Sequence, residues 1–222
     1  MPIMIKGVTG ITVCYDTKSS MERAYESVRR FCLDIPIIII DGSNSGNPCA
    51  CYVKSLASDL TTVISLGKNI GHGRGMHMGI SQVKTKYALM FDSDIEMLKA
   101  CLVTMLEMME DDTFGVGHIC KTGFDGYDCG KKPHHRKEGC MVYLHPFFQL
   151  VNINNYKKFH RYVHHGAPCY LTMFDIHRQG LSDKILKEFP NLKEYVKHYG
   201  RVTRNYRSSK RLQPIADDWE YS

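Results

Sequence analysis

A chain of 222 residues with 43% hydrophobic and 23% charged residues has the composition of a soluble globular protein with room for one full core. Its longest apolar stretch, around Ile37 to Ile40, is strand-sized and far below the roughly 20 residues of a membrane span, and no signal-peptide pattern precedes Gly10. The formal net charge of +6 points to anionic partners, with no recognition motif for nucleic acid beside it.

In chain order, Gly10 to Tyr15 reads as a first strand and Ser20 to Phe31 as an amphipathic helix opened by Ser19 or Ser20. The β-branched run to Ile40 is a second strand, Asp41 to Asn44 a turn, and Pro48 to Leu60 a second helix. Thr61 to Leu66 and Gly73 to Lys84 give a third strand and helix. Tyr87 to Phe91 lacks Gly and Pro and is rich in large apolar residues, so it reads as a buried fourth strand, with a helix from Ile95 to Met109 after it. This alternation calls for an α/β fold with a mostly parallel central sheet flanked by helices.

The second half is less regular. Phe114 to Cys120 suits a strand, Thr122 to Gly139 a Gly-, Lys- and His-rich loop, and Met141 to Val151 one or two strands. Asn154 to Tyr162 and Pro168 to Gln179 read as short helices, the latter closed by Gly180. With no repeat or linker, residues 1–222 are expected to form a single domain.

Nine scattered cysteines fit a reduced, cytoplasmic setting, and disulfides are not expected. Cys120, Cys129, His134, His135 and Cys140 share one loop-like segment, but without a C-x₂₋₄-C pair ordinary cysteines are expected there rather than zinc. Arg201, Arg204, Arg207, Lys210 and Arg211 form a basic segment that suits phosphates, an acidic acceptor, peripheral contact with an anionic membrane, or a solvated tail.

The densest chemistry follows the fourth strand, in Asp92-Ser93-Asp94. Two residues apart, the two carboxylates share one face of an extended chain, and at a strand end they can converge on one ligand. Hard divalent cations bind carboxylate oxygens, and Mg²⁺ in particular bridges one or two carboxylates to substrate phosphates. The alternative is a helix cap by Asp92 or Ser93. Ligands of parallel sheets sit outside the strands' carboxyl ends. Tyr15-Asp16, Asp41-Gly42-Ser43 and the stretch from Gly67 to Gly75 all occupy such ends, so four polar clusters share one edge. Gly71-His72-Gly73-Arg74-Gly75 departs from the dinucleotide-binding fingerprint in spacing and place, but its glycines permit close backbone approach and Arg74 with a helix N-terminus suits a phosphate.

Val13-Cys14-Tyr15-Asp16, Ile39-Ile40-Asp41-Gly42-Ser43, Asn69-Ile70-Gly71, Gly75 and Phe91-Asp92-Ser93-Asp94 together resemble family 2-like glycosyltransferases of the GT-A (Rossmann-like) fold, over about the first 110 residues. Val196 to Arg201 with Thr203 looks like the C-terminal H-x-G element of such enzymes. The resemblance implies a nucleotide-sugar-binding half over residues 1–110 and a smaller, irregular acceptor-side half over 111–222. It implies a UDP-sugar donor such as UDP-glucose or a similar hexose, Mn²⁺ or Mg²⁺, and a glycan or lipid-linked acceptor. In its terms Tyr15 contacts the uracil face, Asp41 accepts from the uracil imide, and Asn69, Arg74 and Ser93 line the donor site. Asp92 lies near the ribose, Asp94 binds the metal with Asp92 beside it, and His198 completes the coordination.

Inverting members usually carry an acidic pair before the helix that follows the acceptor-side strand. Here that position falls on Ala167-Pro168-Cys169, which has no carboxylate. His164, His165 and Asp175 are the nearest ionisable groups and the candidates for the base. The expected reaction is direct displacement with inversion, with the loop from Thr122 to Gly139 as a lid. A non-catalytic sugar-nucleotide or glycan-binding module is the alternative. A sugar nucleotidylyltransferase fits less well, because Tyr15 to Ser19 is not the Gly-rich loop it needs.

Overall fold

The structure, a computed structural model, describes residues 5–124, 126, 139–164 and 166–200. The first half alternates as its periodicity dictates: β1 (Val8–Cys14), α1 (Lys18–Phe31), β2 (Ile37–Asp41), α2 (Pro48–Ser55), β3 (Thr61–Ser65), α3 (His72–Ser81) and β4 (Tyr87–Phe91). Two elements depart from expectation. The second helix stops at Ser55, short of the expected Leu60, and the chain turns back through a Ser58–Thr61 bridge into β3. Ile95 to Met109 is not one helix but a short strand, β5 (Ile95–Met97), and a short helix, α4 (Leu102–Glu107). Ile95 and Met97 are buried on one side of that strand while Glu96 between them is half-exposed, a period of two rather than 3.6.

Then follow β6 (Gly115–Gly123), β7 (Cys140–Asn152), α5 (Ile153–Tyr156), α6 (Tyr170–Arg178), α7 (Ser182–Ile185), β8 (Leu186–Glu188), α8 (Leu192–Tyr195) and β9 (Val196–His198). Gly180, at φ +67°, ends α6 as expected. The segment expected as a lid lies, apart from its ends, outside the described residues, as do His165 and the basic segment from Arg201 onward.

The seven-stranded sheet runs β3-β2-β1-β4-β7-β6-β8. Only β7 is reversed: it pairs antiparallel with β4 and β6, while the other pairings are parallel. A separate two-stranded ribbon joins β5 to β9. The architecture is the mixed α/β one expected, with helices around a mostly parallel sheet.

Two apolar layers hold it. On one side Met21, Ala24 and Val28 of α1 pack with Ile37, Ile39, Leu89 and Phe91. On the other, Ile11, Met76, Met90, Tyr162, Tyr170 and Met173 form the second layer. The glycines of α3 serve this packing. A Cβ at Gly75 would stand 2.7 Å from Val13 Cγ1, and one at Gly79 2.5 Å from Ile11 Cγ2. Their absence lets the helix lie directly on β1, so these glycines approach protein rather than ligand.

Among the cysteines, Cys14, Cys32, Cys49, Cys51, Cys101, Cys120 and Cys169 are free thiols. Cys140 is disulfide-bonded, against the expectation of none. Among the described residues no helix is long and apolar enough to cross a membrane.

Candidate active site

The parallel register aligns Cys14 with Asp41 and Asp41 with Ser65, so the carboxyl ends of β1, β2 and β3 form one edge. Asp92 follows the last residue of β4, and its N–H donates to the Phe147 carbonyl at 2.9 Å. The chain turns at Ser93 and Asp94 and enters β5. There the antiparallel ribbon places Ile95 opposite His198, and the Tyr199 N–H donates to the Asp94 carbonyl at 3.0 Å. A residue more than 100 positions downstream is thereby fixed beside the Asp pair.

The result is a compact set of donors. His198 Nε2 lies 3.2 Å from Asp94 Oδ1 and 3.6 Å from Asp92 Oδ2. One ligand atom each from Asp92, Asp94 and His198 falls within 4.8 Å of the others. Adjacent donors of an octahedral ion bound at about 2.1–2.4 Å are spaced by about 3.0–3.4 Å; the His198–Asp94 pair has that spacing, and Asp92 lies within reach of the same ion. Phe147 stacks on the His198 ring, centroids 4.9 Å apart and planes within 4°, which fixes the ring's orientation.

Tyr199 anchors the ribbon from outside. The Arg23 guanidinium lies over its ring at 4.3 Å and the Lys197 ammonium at 4.6 Å, and its hydroxyl bonds Glu96 Oε2 at 2.6 Å.

More histidines surround the pair than the sequence reading singled out. His72 opens α3, and its Nε2 stands 3.2 Å from Asp92 Oδ1, within ion-pair distance. Burial pushes the His72 imidazole down, but the adjacent Asp92 outweighs this and raises it; reciprocally burial pushes Asp92 up, and His72 more than offsets it. His198 follows the same balance, burial against the Asp94 hydrogen bond and both carboxylates, with a net rise.

His145 behaves oppositely. Burial holds it down at about 4, helped by the nearby His198, His118 and His72 against the pull of Asp92. Its Nδ1 accepts from the Phe147 N–H at 3.2 Å, so the neutral ring carries its proton on Nε2. His145 thus enters the site as a hydrogen-bond donor, not as a base. His118 sits at the register shift between Gly117 and Ile119 in β6, a bulge of the kind that re-aims a side chain, and its Nδ1 lies 3.2 Å from Glu188 Oε1.

At the other end of the edge, Asp41 is fully buried. Its Oδ1 accepts from the Ser43 N–H at 2.8 Å and from the Cys14 thiol at 3.6 Å, while Oδ2 has no hydrogen-bond partner. The Cys14 hydrogen bond lowers the Cys49 thiol to about 7 against its burial, and the same contact raises Cys14. Tyr15 is half-buried just past β1. Asn69 and Arg74 are exposed, Asn69 Oδ1 accepting from the Gly71 N–H at 2.8 Å, and Ser93 is half-buried between the two aspartates.

The three candidates for the base fare differently. His164 is buried and its carbonyl accepts from the Gly73 N–H at 2.9 Å, one residue from His72. His165 lies outside the described residues. Asp175 is engaged by His160: its Oδ2 accepts from the His160 N–H at 2.9 Å and contacts the ring Nδ1. Cys169, where the acidic pair was sought, is buried in a network with Gln149 Nε2 at 3.5 Å and the Tyr143 hydroxyl, and burial pushes its thiol up to about 12.

Against known proteins, residues 10–178 match the model of glycosyl transferase family 2. The span includes both aspartates and stops before His198. No curated protein matches the chain. A mannosyltransferase of Pyrobaculum calidifontis, solved with GDP-Man and Mn²⁺, is similar in fold at TM-score 0.59 and 11% identity, over 84% of this chain and 55% of its own. Glucosyl-3-phosphoglycerate synthase of Mycobacterium tuberculosis, solved with phosphoglyceric acid, gives 0.59 and 14% over 90% and 74%. S. aureus TarS gives 0.54 and 11% over 83% and 35%. The chain therefore spans about half the length of the first of these, and identities so low speak for the fold alone.

Proposed function

Since the chain belongs to glycosyl transferase family 2, we propose that it moves a hexose from a UDP-sugar to a hydroxyl of a glycan or lipid-linked acceptor, by direct displacement with inversion. The observation that carries this reading is the convergence of Asp92, Asp94 and His198 on one point at the carboxyl edge of the sheet. Two carboxylates and an imidazole form a mixed oxygen and nitrogen set, which suits Mn²⁺ and accepts Mg²⁺. An ion held there supplies positive charge against the diphosphate that leaves the sugar.

The chain's own groups do the rest. Asp41 Oδ2, buried and without a partner, accepts the imide N–H of the base, and Tyr15 offers its ring to the base face. Asn69, Arg74 and Ser93 line the donor, and Asp92 reaches the ribose side. His145 Nε2–H is a fixed donor beside the carboxylates, available to a phosphate or sugar oxygen at no cost in reorganisation. His164 keeps the role of base and His165 shares the candidacy, while Asp175 yields it because His160 occupies its carboxylate.

Thermal unfolding with a panel of UDP-, GDP- and dTDP-sugars, with and without Mn²⁺, tests the reading. A donor present at about 100 times its Kd raises stability by about 2.7 kcal/mol. The expected result is stabilisation by UDP-sugars only when Mn²⁺ is present. Preference for GDP-sugars would refute the role of Asp41, and no response to any donor would refute the site.

A further inference from the structure

Under the strand-end edge lies a second group of ligand atoms, of which the proposed transfer uses only Asp41. Cys14 closes β1 and Asp41 closes β2, and the two are direct register partners. Cys49 stands in the first turn of α2, its N–H bonded at 2.8 Å to the side chain of the cap residue Asn47. The sulfurs of Cys14 and Cys49 and a carboxylate oxygen of Asp41 lie within 4.8 Å of one another. Relative exposures are 2%, 0% and 0%, so all three are shielded from water.

The Cys14–Asp41 spacing is that of two ligands on one ion, and Cys49 lies within reach of both. A tetrahedral ion with metal–sulfur bonds of about 2.3 Å and metal–oxygen bonds of about 2.0–2.2 Å separates sulfur from oxygen by about 3.5 Å. Cys14 Sγ stands 3.6 Å from Asp41 Oδ1. Asp41 supplies an independent sign that something belongs here. Its second oxygen is buried and lacks a hydrogen-bond partner, and no Lys, Arg or His ion-pairs with it among the described residues. Buried carboxylates in proteins are paired, hydrogen-bonded or bound to metal. Two sulfurs with one oxygen are a poor home for Mn²⁺ or Mg²⁺ and a good one for a thiophilic ion.

We propose that Cys14, Cys49 and Asp41 form a second metal site, selective for Zn²⁺ or a comparable thiophilic ion, whose occupation weakens the hold of Asp41 on the donor's base. On binding, the two thiols release their protons to solvent and the sulfurs become ligands, leaving a fourth position for water. The metal site stands on the cluster alone, and only the antagonism rests on the proposed role of Asp41. An ion bound to the carboxylate draws off the negative charge that favours acceptance from a base N–H, so ion and base oppose each other at Asp41. Zn²⁺ would then act as an inhibitor at a place distinct from the Asp92–Asp94–His198 set.

Titration of the full chain with Co²⁺ separates the two sites, because only sulfur ligands give a thiolate-to-Co²⁺ charge-transfer band in the near ultraviolet. The expected result is one equivalent of sulfur-bound Co²⁺, displaced by Zn²⁺, lost in Cys14→Ser and in Cys49→Ser, and kept in Asp94→Ala. No band in the unaltered chain, or a band that survives both serine substitutions, would overturn the site. Should the serine variants fail to fold, alkylation of the unaltered chain mapped by mass spectrometry decides instead. Zn²⁺ must then protect Cys14 and Cys49, and equal labelling with and without it would overturn the proposal. Calorimetric titration with UDP and Mn²⁺ reads the antagonism: Zn²⁺ should weaken UDP about tenfold, about 1.4 kcal/mol. Unchanged UDP affinity would refute the antagonism. A chain that never binds UDP would instead refute the donor reading and leave the Co²⁺ result standing.

Discussion

His145 is held at about 4 by burial and by the other histidines of the site, whereas a free imidazole titrates near 6.5. Because the folded value is the lower one, the unfolded chain binds more protons between the two, and folding is opposed there as pH falls. The contribution is absent above about pH 6.5, grows through the window and levels off below about 4. By pH 4.5 it amounts to about 2–3 kcal/mol, at about 1.4 kcal/mol for each tenfold change in proton affinity. His72 and His198 act in the opposite sense, since their folded values are raised: they stabilise at low pH and lose that contribution as pH rises. His145→Asn isolates the first effect, because an amide oxygen can accept from the Phe147 N–H as Nδ1 does and cannot titrate. Urea unfolding of the metal-free protein and this variant at pH 7 and pH 4.5 measures it. The variant's stability relative to the parent should rise by about 2–3 kcal/mol on acidification, or about 5–10 °C in melting temperature for a chain this size. Parallel losses in both proteins would refute the assignment of His145 as a buried neutral donor.

Other substitutions probe the remaining joints. Asp94→Ala should abolish the stabilisation by Mn²⁺ and UDP-sugar together and with it transfer, and an undiminished Mn²⁺ shift would disprove the metal role of Asp94. Gly73→Ala puts a Cβ 2.5 Å from the His164 carbonyl oxygen and 2.7 Å from Val163 backbone carbon, neither a flexible group. Overpacking and the strained Gly73–His164 hydrogen bond should together cost about 2–4 kcal/mol by chemical denaturation, and a loss below about 0.5 kcal/mol would show that the contact between α3 and the His164 backbone is not rigid. Tyr199→Leu removes two exposed cation–π contacts and should cost only about 1–2 kcal/mol, yet weaken Mn²⁺ several-fold because the strand carrying His198 frays. Mn²⁺ affinity unchanged in that variant would refute the anchoring role.

The first half of the fold was legible because its signals are local. A buried strand such as Tyr87 to Phe91, and turn residues such as Asp41-Gly42, depend on neighbours a few positions away. The same applies to Asp92 and Asp94, which lie two residues apart and so share one face at the strand end. The helix expected from Ile95 failed for a related reason: three residues carry too short a pattern to distinguish period 2 from period 3.6, and pairing with β9 decided it. The histidines around the pair were not legible. His145 lies within a run that reads only as strand, and it reaches the site because β7 is reversed beside β4 and so brings its first half to the carboxyl edge. His72 was read as part of a glycine loop, whereas Gly75 and Gly79 seat α3 on β1 and leave its first residue against Asp92.

By itself the sequence determined an alternating α/β chain with carboxylates at its strand ends, since hydrophobic period and turn chemistry are written residue by residue. Only the tertiary structure decided which distant groups meet those carboxylates. The reversal of β7, the β5–β9 ribbon that delivers His198, and the juxtaposition of Cys14 with Cys49 are long-range pairings, fixed by burial and backbone hydrogen bonding across the whole sheet and recorded in no local pattern.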